Sequence, residues 1–156
     1  MGGDSAGGNL AAVMAQQRPV PIRFQLLIYP ATDMTQSFPS QKENAAGPVL
    51  TEQAMEWFIG HYMPDKSQHR HELASPLFSA DAMFRDLPPA LIITAQYDPL
   101  RDEGEAYGAK MIENGSVASI IRFNGQFHSF FGMHQLMDDA ENAHIIAANA
   151  LRKALA

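Results

Sequence analysis

The chain has 156 residues, 46% hydrophobic and 18% charged, the balance of one soluble globular domain with a core rather than of a disordered segment. A formal charge of −6 leaves no basic face for a phosphate backbone, which excludes nucleic acid as the expected partner. With no cysteine there is no disulfide framework, no thiolate nucleophile and no cysteine-based metal site. No apolar run approaches the roughly 20 residues that span a bilayer, and the first residues form no leader peptide, so a cytoplasmic location is expected.

In chain order, residues 6–17 read as a helix, with Leu10, Val13, Met14 and Gln17 at helical spacing before Pro19 stops it. Residues 23–29 (RFQLLIY) form a short apolar run closed by Pro30, the pattern of a buried strand. Residues 30–50 are loop-like. Thr51 is placed to cap a helix running to Tyr62, with Met55, Phe58, Ile59 and Tyr62 on one face. Residues 64–89 are broken by four prolines. A second strand is expected over 90–96 (ALIITAQ), a helix over 101–114 with Gly115 ending it, a third strand over 117–123, and an alanine-rich helix from Asp138 onward. Apolar strands alternating with helices predict an α/β protein, a parallel sheet covered by helices on its faces.

Gly3-Asp4-Ser5-Ala6-Gly7 matches G-x-S-x-G. That pattern builds a sharp strand-to-helix turn: it lifts a serine hydroxyl clear of the backbone, and the flanking glycines avoid Cβ clashes. The helix dipole that follows favours negative charge at the serine. A chance match in a chain of this length arises roughly one time in twenty, so the motif alone decides little. Asp98 directly follows the strand over 90–96, and His128 lies in a loop after the strand over 117–123. Both therefore sit where open α/β sheets build their sites, at the strands' carboxyl ends. The expected roles are Ser5 as nucleophile, His128 as the base that takes its proton, and Asp98 as the acid that orients the imidazole.

Other residues compete. Asp33 also follows a strand and is the alternative acid. Asp102 and Glu103 are read as first-turn acids that favour a helix dipole. His134 and His144 are read as surface or helix residues, and His61 as adjacent to the core. His69-Arg70-His71-Glu72 is not H-E-x-x-H, because Ser75 stands where the second histidine belongs; it is read as a solvated loop. Met55, Trp57, Phe58, Met83, Phe130 and Phe131 could line an acyl pocket, although core packing is the simpler account for most. No metal or organic cofactor is implied.

Residues 3–12 (GDSAGGNLAA), 75–77 (SPL) and 87–107 (LPPALIITAQYDPLRDEGEAY) resemble the hormone-sensitive-lipase family of α/β-hydrolase esterases. The resemblance runs through nearly the whole chain, and DPLRDEG is its most specific part. It implies the same Ser5, Asp98 and His128 in the Ser…Asp…His order of that fold. It also implies an oxyanion donor at the Ala6 amide and a small-molecule ester as substrate. The family's His-Gly-Phe appears here as His128-Ser129-Phe130. Members are roughly twice this length, so the expectation is a partial α/β-hydrolase fold without its amino-terminal strands. Residues 1–156 would then be one domain, with 34–86 as cap-proximal loops and helix. No room is expected for a strand ahead of Ser5, which leaves an open edge on the strand at 23–29 and favours homo-oligomers or pairing through that edge. The family's His-Gly-Gly oxyanion stretch does not occur in this sequence.

Overall fold

A computed structural model describes residues 1–156. Four parallel strands, β1 (Gly2–Asp4), β2 (Gln25–Ile28), β3 (Ala90–Tyr97) and β4 (Ala118–Phe127), lie side by side in chain order. Five α-helices accompany them: α1 (Ala6–Gln17), α2 (Pro39–Glu43), α3 (Glu52–Tyr62), α4 (Arg101–Glu113) and α5 (Asp138–Leu155). Short 3-10 turns punctuate 66–84 and 130–133. No helix is long and apolar enough to cross a membrane.

The central strands β2 and β3 are buried on both faces, and their successive residues serve opposite faces. Leu27 and Ile92 pack with Ala11 and Ala12 of α1 and with Tyr107 and Met111 of α4. Ile28, Leu91, Ile93 and Ala95 pack instead against Ala140, Ala143 and Ala147 of α5. A third cluster, including Ala31, Leu50, Met55, Ile59 and Leu100, joins α3 to the loops at the carboxyl rim. Local signals act as their chemistry dictates. The Thr51 hydroxyl accepts from the Ala54 amide at 3.1 Å, and Gly115 takes φ +85° past the end of α4. There the Gly115 and Ser116 amides donate to Ile112 and Met111 carbonyls, closing the helix as a Schellman turn.

Two expectations need correction. A strand does precede Ser5: Gly2, Gly3 and Asp4 pair in register with Leu26, Leu27 and Ile28, and the Met1 ammonium donates to the Phe24 carbonyl. Three residues are enough when the neighbouring strand is already fixed on its other side, so β1 rather than β2 is the end strand of these four. Of the four residues whose spacing marks α1, Val13 alone is buried. The helix's buried residues also include Gly8, Ala11, Ala12 and Ala15, whereas Leu10 is 55% and Met14 37% exposed. The helix lies close to the sheet, and Gly8 shows why small residues are needed: a Cβ there would sit 2.8 Å from the Pro30 Cβ. Finally, His61 is exposed on α3 rather than adjacent to the core; its Nδ1 meets the Trp57 carbonyl at 2.8 Å.

Candidate active site

The turn from β1 into α1 holds Ser5 at φ 51° and ψ −117°, a conformation that costs a non-glycine residue of order 1–3 kcal/mol. Its amide donates to the Ile28 carbonyl at 2.9 Å, and its own carbonyl accepts from the amides of Asn9 and Ala31. Gly3 makes the turn possible, because a Cβ there would stand 2.3 Å from the Gly7 carbonyl oxygen. A serine ahead of a helix ordinarily caps it with its side chain; here the hydroxyl makes no cap bond.

That hydroxyl meets His128 instead. Ser5 Oγ lies 3.1 Å from His128 Nε2, and His128 Nδ1 lies 2.7 Å from Asp98 Oδ2. Asp98 can only accept, so Nδ1 carries the imidazole proton and Nε2 is left to accept from Ser5. The other Asp98 oxygen accepts from the Leu100 amide at 2.9 Å, which fixes the carboxylate in its turn. Asp98 is fully buried and His128 is 5% exposed, so bulk water screens neither group. The three residues arrive from different elements: the β1–α1 turn, the turn after β3, and the loop after β4. They meet at one rim of the sheet.

The rival residues lie elsewhere. Both Asp33 oxygens accept from its own loop, from the amides and hydroxyls of Thr35 and Ser37, at 2.5 to 3.1 Å. Asp102 receives the Ser40 amide and Arg101 Nε. His134 stacks on His144, whose Nε2 meets the Phe131 carbonyl. His69 and His71 are tied to nearby backbone through Met63 O and the Leu73 amide, in the loop expected of them.

Beside Ser5 opens a cavity of about 570 Å³, lined mainly by apolar side chains. Met34, Leu50, Met55, Phe58, Ile59 and Tyr62 build one wall, and Ala6, Leu10 and Ser129 flank the serine. Ala6 opens α1, so its amide is among those lacking an intrahelical acceptor and stands next to the Ser5 hydroxyl. Of the aromatic and methionine residues weighed from sequence, Met55 and Phe58 reach the cavity. Phe130 packs in the core against Tyr29 and Phe123, while Trp57 is 59% exposed.

Two supporting residues escaped sequence reasoning. Asn9, one turn after Ser5, is buried and donates to the Ala31 and Ala74 carbonyls at 2.8 Å each, tying two loops to the cavity wall. Its position in Gly-Gly-Asn, four residues after the serine, was the available signal. Glu103 lies in the first turn of α4 as expected, but it is also fully buried and serves more than the helix dipole. Its Oε1 accepts from the Thr32 and Asp33 amides and its Oε2 from Gln41 Nε2. Desolvation raises the Glu103 carboxyl well above the ordinary range, against the amides of Thr32 and Asp33 and the Gln41 side chain, which favour its ionised form.

The family model described as the alpha/beta hydrolase fold matches residues 1–132. An esterase of Fusarium pseudograminearum is 35% identical over 97% of this chain and 49% of its own length. The carboxylesterase NlhH of Mycobacterium tuberculosis is 38% identical over 98% of this chain and 50% of its own. Among solved structures, carboxyl esterase 2 from the mycorrhizal fungus Tuber melanosporum superposes with a TM-score of 0.93 at 33% identity, covering 99% of this chain and 54% of that one. The chain belongs to the α/β-hydrolase family, among relatives like the hormone-sensitive-lipase esterases. It spans about half the length of the curated relatives it matches.

Proposed function

We propose that this chain carries the acyl-transfer site of a carboxylic-ester hydrolase acting on short, hydrophobic esters. The observation that carries the reading is the unbroken hydrogen-bond chain from Ser5 Oγ through His128 to the buried Asp98 carboxylate. Ser5 Oγ attacks the ester carbonyl carbon while its proton passes to His128 Nε2 and the carbonyl π pair moves onto oxygen. Collapse of that oxyanion breaks the bond to the alcohol, which leaves with the proton from Nε2, and an acyl-Ser5 remains. Water then repeats the sequence in place of Ser5, releasing the acid. The apolar wall supports an uncharged acyl group in the cavity, and residues 34–86 supply most of that wall.

The Ala6 amide is the oxyanion donor contained in this chain. No His-Gly-Gly stretch is present to add further donors. Each such donor is worth about 10²–10³ in rate, so the 156 residues alone should turn over slowly. The test is release of p-nitrophenol from its acetate or butyrate ester by wild type and by Ser5→Ala. Turnover should vanish in the variant; equal rates would remove Ser5 as the nucleophile.

The unpaired side of β1 favours a second reading, in which the chain acts by pairing that edge with a strand from another copy or another segment and not by catalysis. Gel filtration separates the two readings, because a stable monomer with Ser5-dependent turnover would end it.

A further inference from the structure

We infer that Tyr29 is a positioning residue for His128, its ring forming the wall that holds the imidazole in line between Ser5 and Asp98. This rests on the reading of His128 as the base.

Tyr29 occupies the residue just past β2, and its backbone is strained, with φ +33°, where a bulky L-residue rarely sits. Its amide donates to the Ile93 carbonyl at 2.6 Å, so the neighbouring strand fixes the backbone in that state. The consequence is where the side chain goes. The ring is 2% exposed and its centroid lies 4.7 Å from that of His128, tilted by 52°; on another side it meets Phe130 edge-on at 6.1 Å. Ile28, the preceding residue, accepts the Ser5 amide, so one short stretch of chain braces both the nucleophile and its base.

Two hydrogen bonds leave the imidazole free to tilt about the line joining its nitrogens. A buried ring packed against it at 4.7 Å restricts that freedom. Proton transfer from Ser5 makes His128 a cation next to the π system, which is attractive at this separation. Burial, with the Asp4 and Asp98 charges nearby, raises the phenol well above its ordinary value, so the ring stays neutral when His128 ionises. The contact with His128 is made by the ring, which is therefore the working part.

The experiment compares wild type, Tyr29→Phe and Tyr29→Leu by turnover of p-nitrophenyl acetate and by the downfield proton resonance of His128 Nδ1–H. Tyr29→Leu should lower kcat about tenfold with KM changed by less than about twofold, and should broaden or lose the resonance. Tyr29→Phe should restore both. Retention of kcat and resonance in Tyr29→Leu would overturn the inference, as would a Tyr29→Phe as damaged as Tyr29→Leu. Should Tyr29→Leu not fold, Tyr29→Met makes the same comparison with a flexible filler of the space. The wild-type protein supplies its own check, since the carbon-bound ring protons of His128 should be displaced by the Tyr29 ring current and undisplaced resonances would also overturn it. If Ser5→Ala equals wild type in turnover, the catalytic reading fails, and the resonances still judge what the ring does to the imidazole.

Discussion

Two carboxylates lie fully buried only five positions apart, Asp98 in the turn after β3 and Glu103 in the first turn of α4, and their surroundings differ. Asp98 faces the rim and meets an imidazole that can become a cation. Glu103 points back under the loop after β2 and meets only neutral donors, the amides of Thr32 and Asp33 and the side chain of Gln41. The contrast shows that burial alone assigns no role to a carboxylate. A partner that can take and return a proton makes Asp98 suited to a reaction, while a set of fixed N–H groups makes Glu103 a fastener for the loop carrying Ala31 and Thr32.

The largest expected effect breaks the comparison on the Asp98 side. Asp98→Asn keeps the shape but gives the His128 ring a neutral partner that can present N–H instead of accepting. The wrong tautomer then leaves Nε2 protonated and unable to take the Ser5 proton. Ester turnover, or the rate of Ser5 labelling by an organophosphate, should fall about 10³–10⁴-fold with little change in melting temperature. Glu103→Gln measured beside it should stay near wild type in both assays, and a comparable loss in the two variants would mean that the carboxylates share one role.

Next comes Glu103→Leu, which strips the acceptor from two buried amides. Each orphaned N–H costs about 1–3 kcal/mol, so the variant should lose about 2–6 kcal/mol in urea titration, with residual activity surviving where the protein is folded. A stability within error of wild type would show that the loop does not depend on this acceptor.

Glu103→Gln sharpens the comparison through pH. The folded state holds the Glu103 proton more tightly than the unfolded chain, whose carboxyl titrates near 4.5. Stability contributed by the protonated form is therefore complete below pH 4.5 and is lost as pH rises toward the folded-state value. The neutral amide has no such loss. In Glu103→Gln, a flip of the Gln41 side chain can turn its Oε1, a buried atom with no partner, toward the new amide donor. The wild type should lose stability relative to Glu103→Gln as pH is raised above about 4.5, and parallel profiles for the two would reject the desolvation account.

How much of this was readable beforehand follows the same division. The rim residues carry local signatures: a glycine-flanked serine, an aspartate just past an apolar strand and a histidine in the loop after the next one. Helix α1 was bounded correctly because Pro19 and the start of the elbow both mark it, and Thr51 and Gly115 marked their helix ends by capping chemistry. Three features were hidden for physical reasons. Glu103 looks like any acid in a first turn until the loop above it is placed. The Gly2–Asp4 strand is too short for any periodicity and exists only through pairing with β2. The inward side of α1 does not follow its large apolar residues, because close approach to Pro30 and the sheet calls for small side chains such as Gly8 there.

The smallest effect tests Ser129 beside His128, where the resemblance read from the sequence implies a glycine. Its backbone lies at φ 71° and ψ 4°, the left-handed region where a Cβ is unfavourable by about 1 kcal/mol and glycine is not. Ser129→Gly removes that strain but enlarges the freedom of the unfolded chain, which offsets part of the gain. A net stabilisation of about 0.5 kcal/mol follows, a rise of one or two degrees in melting temperature for a domain of this size. Because the folded backbone is already the one glycine prefers, His128 should keep its 3.1 Å approach to Ser5, and the Nδ1–H resonance and ester turnover should be unchanged. A destabilised or inactive Ser129→Gly would mean that the serine side chain, not the left-handed turn, holds this loop.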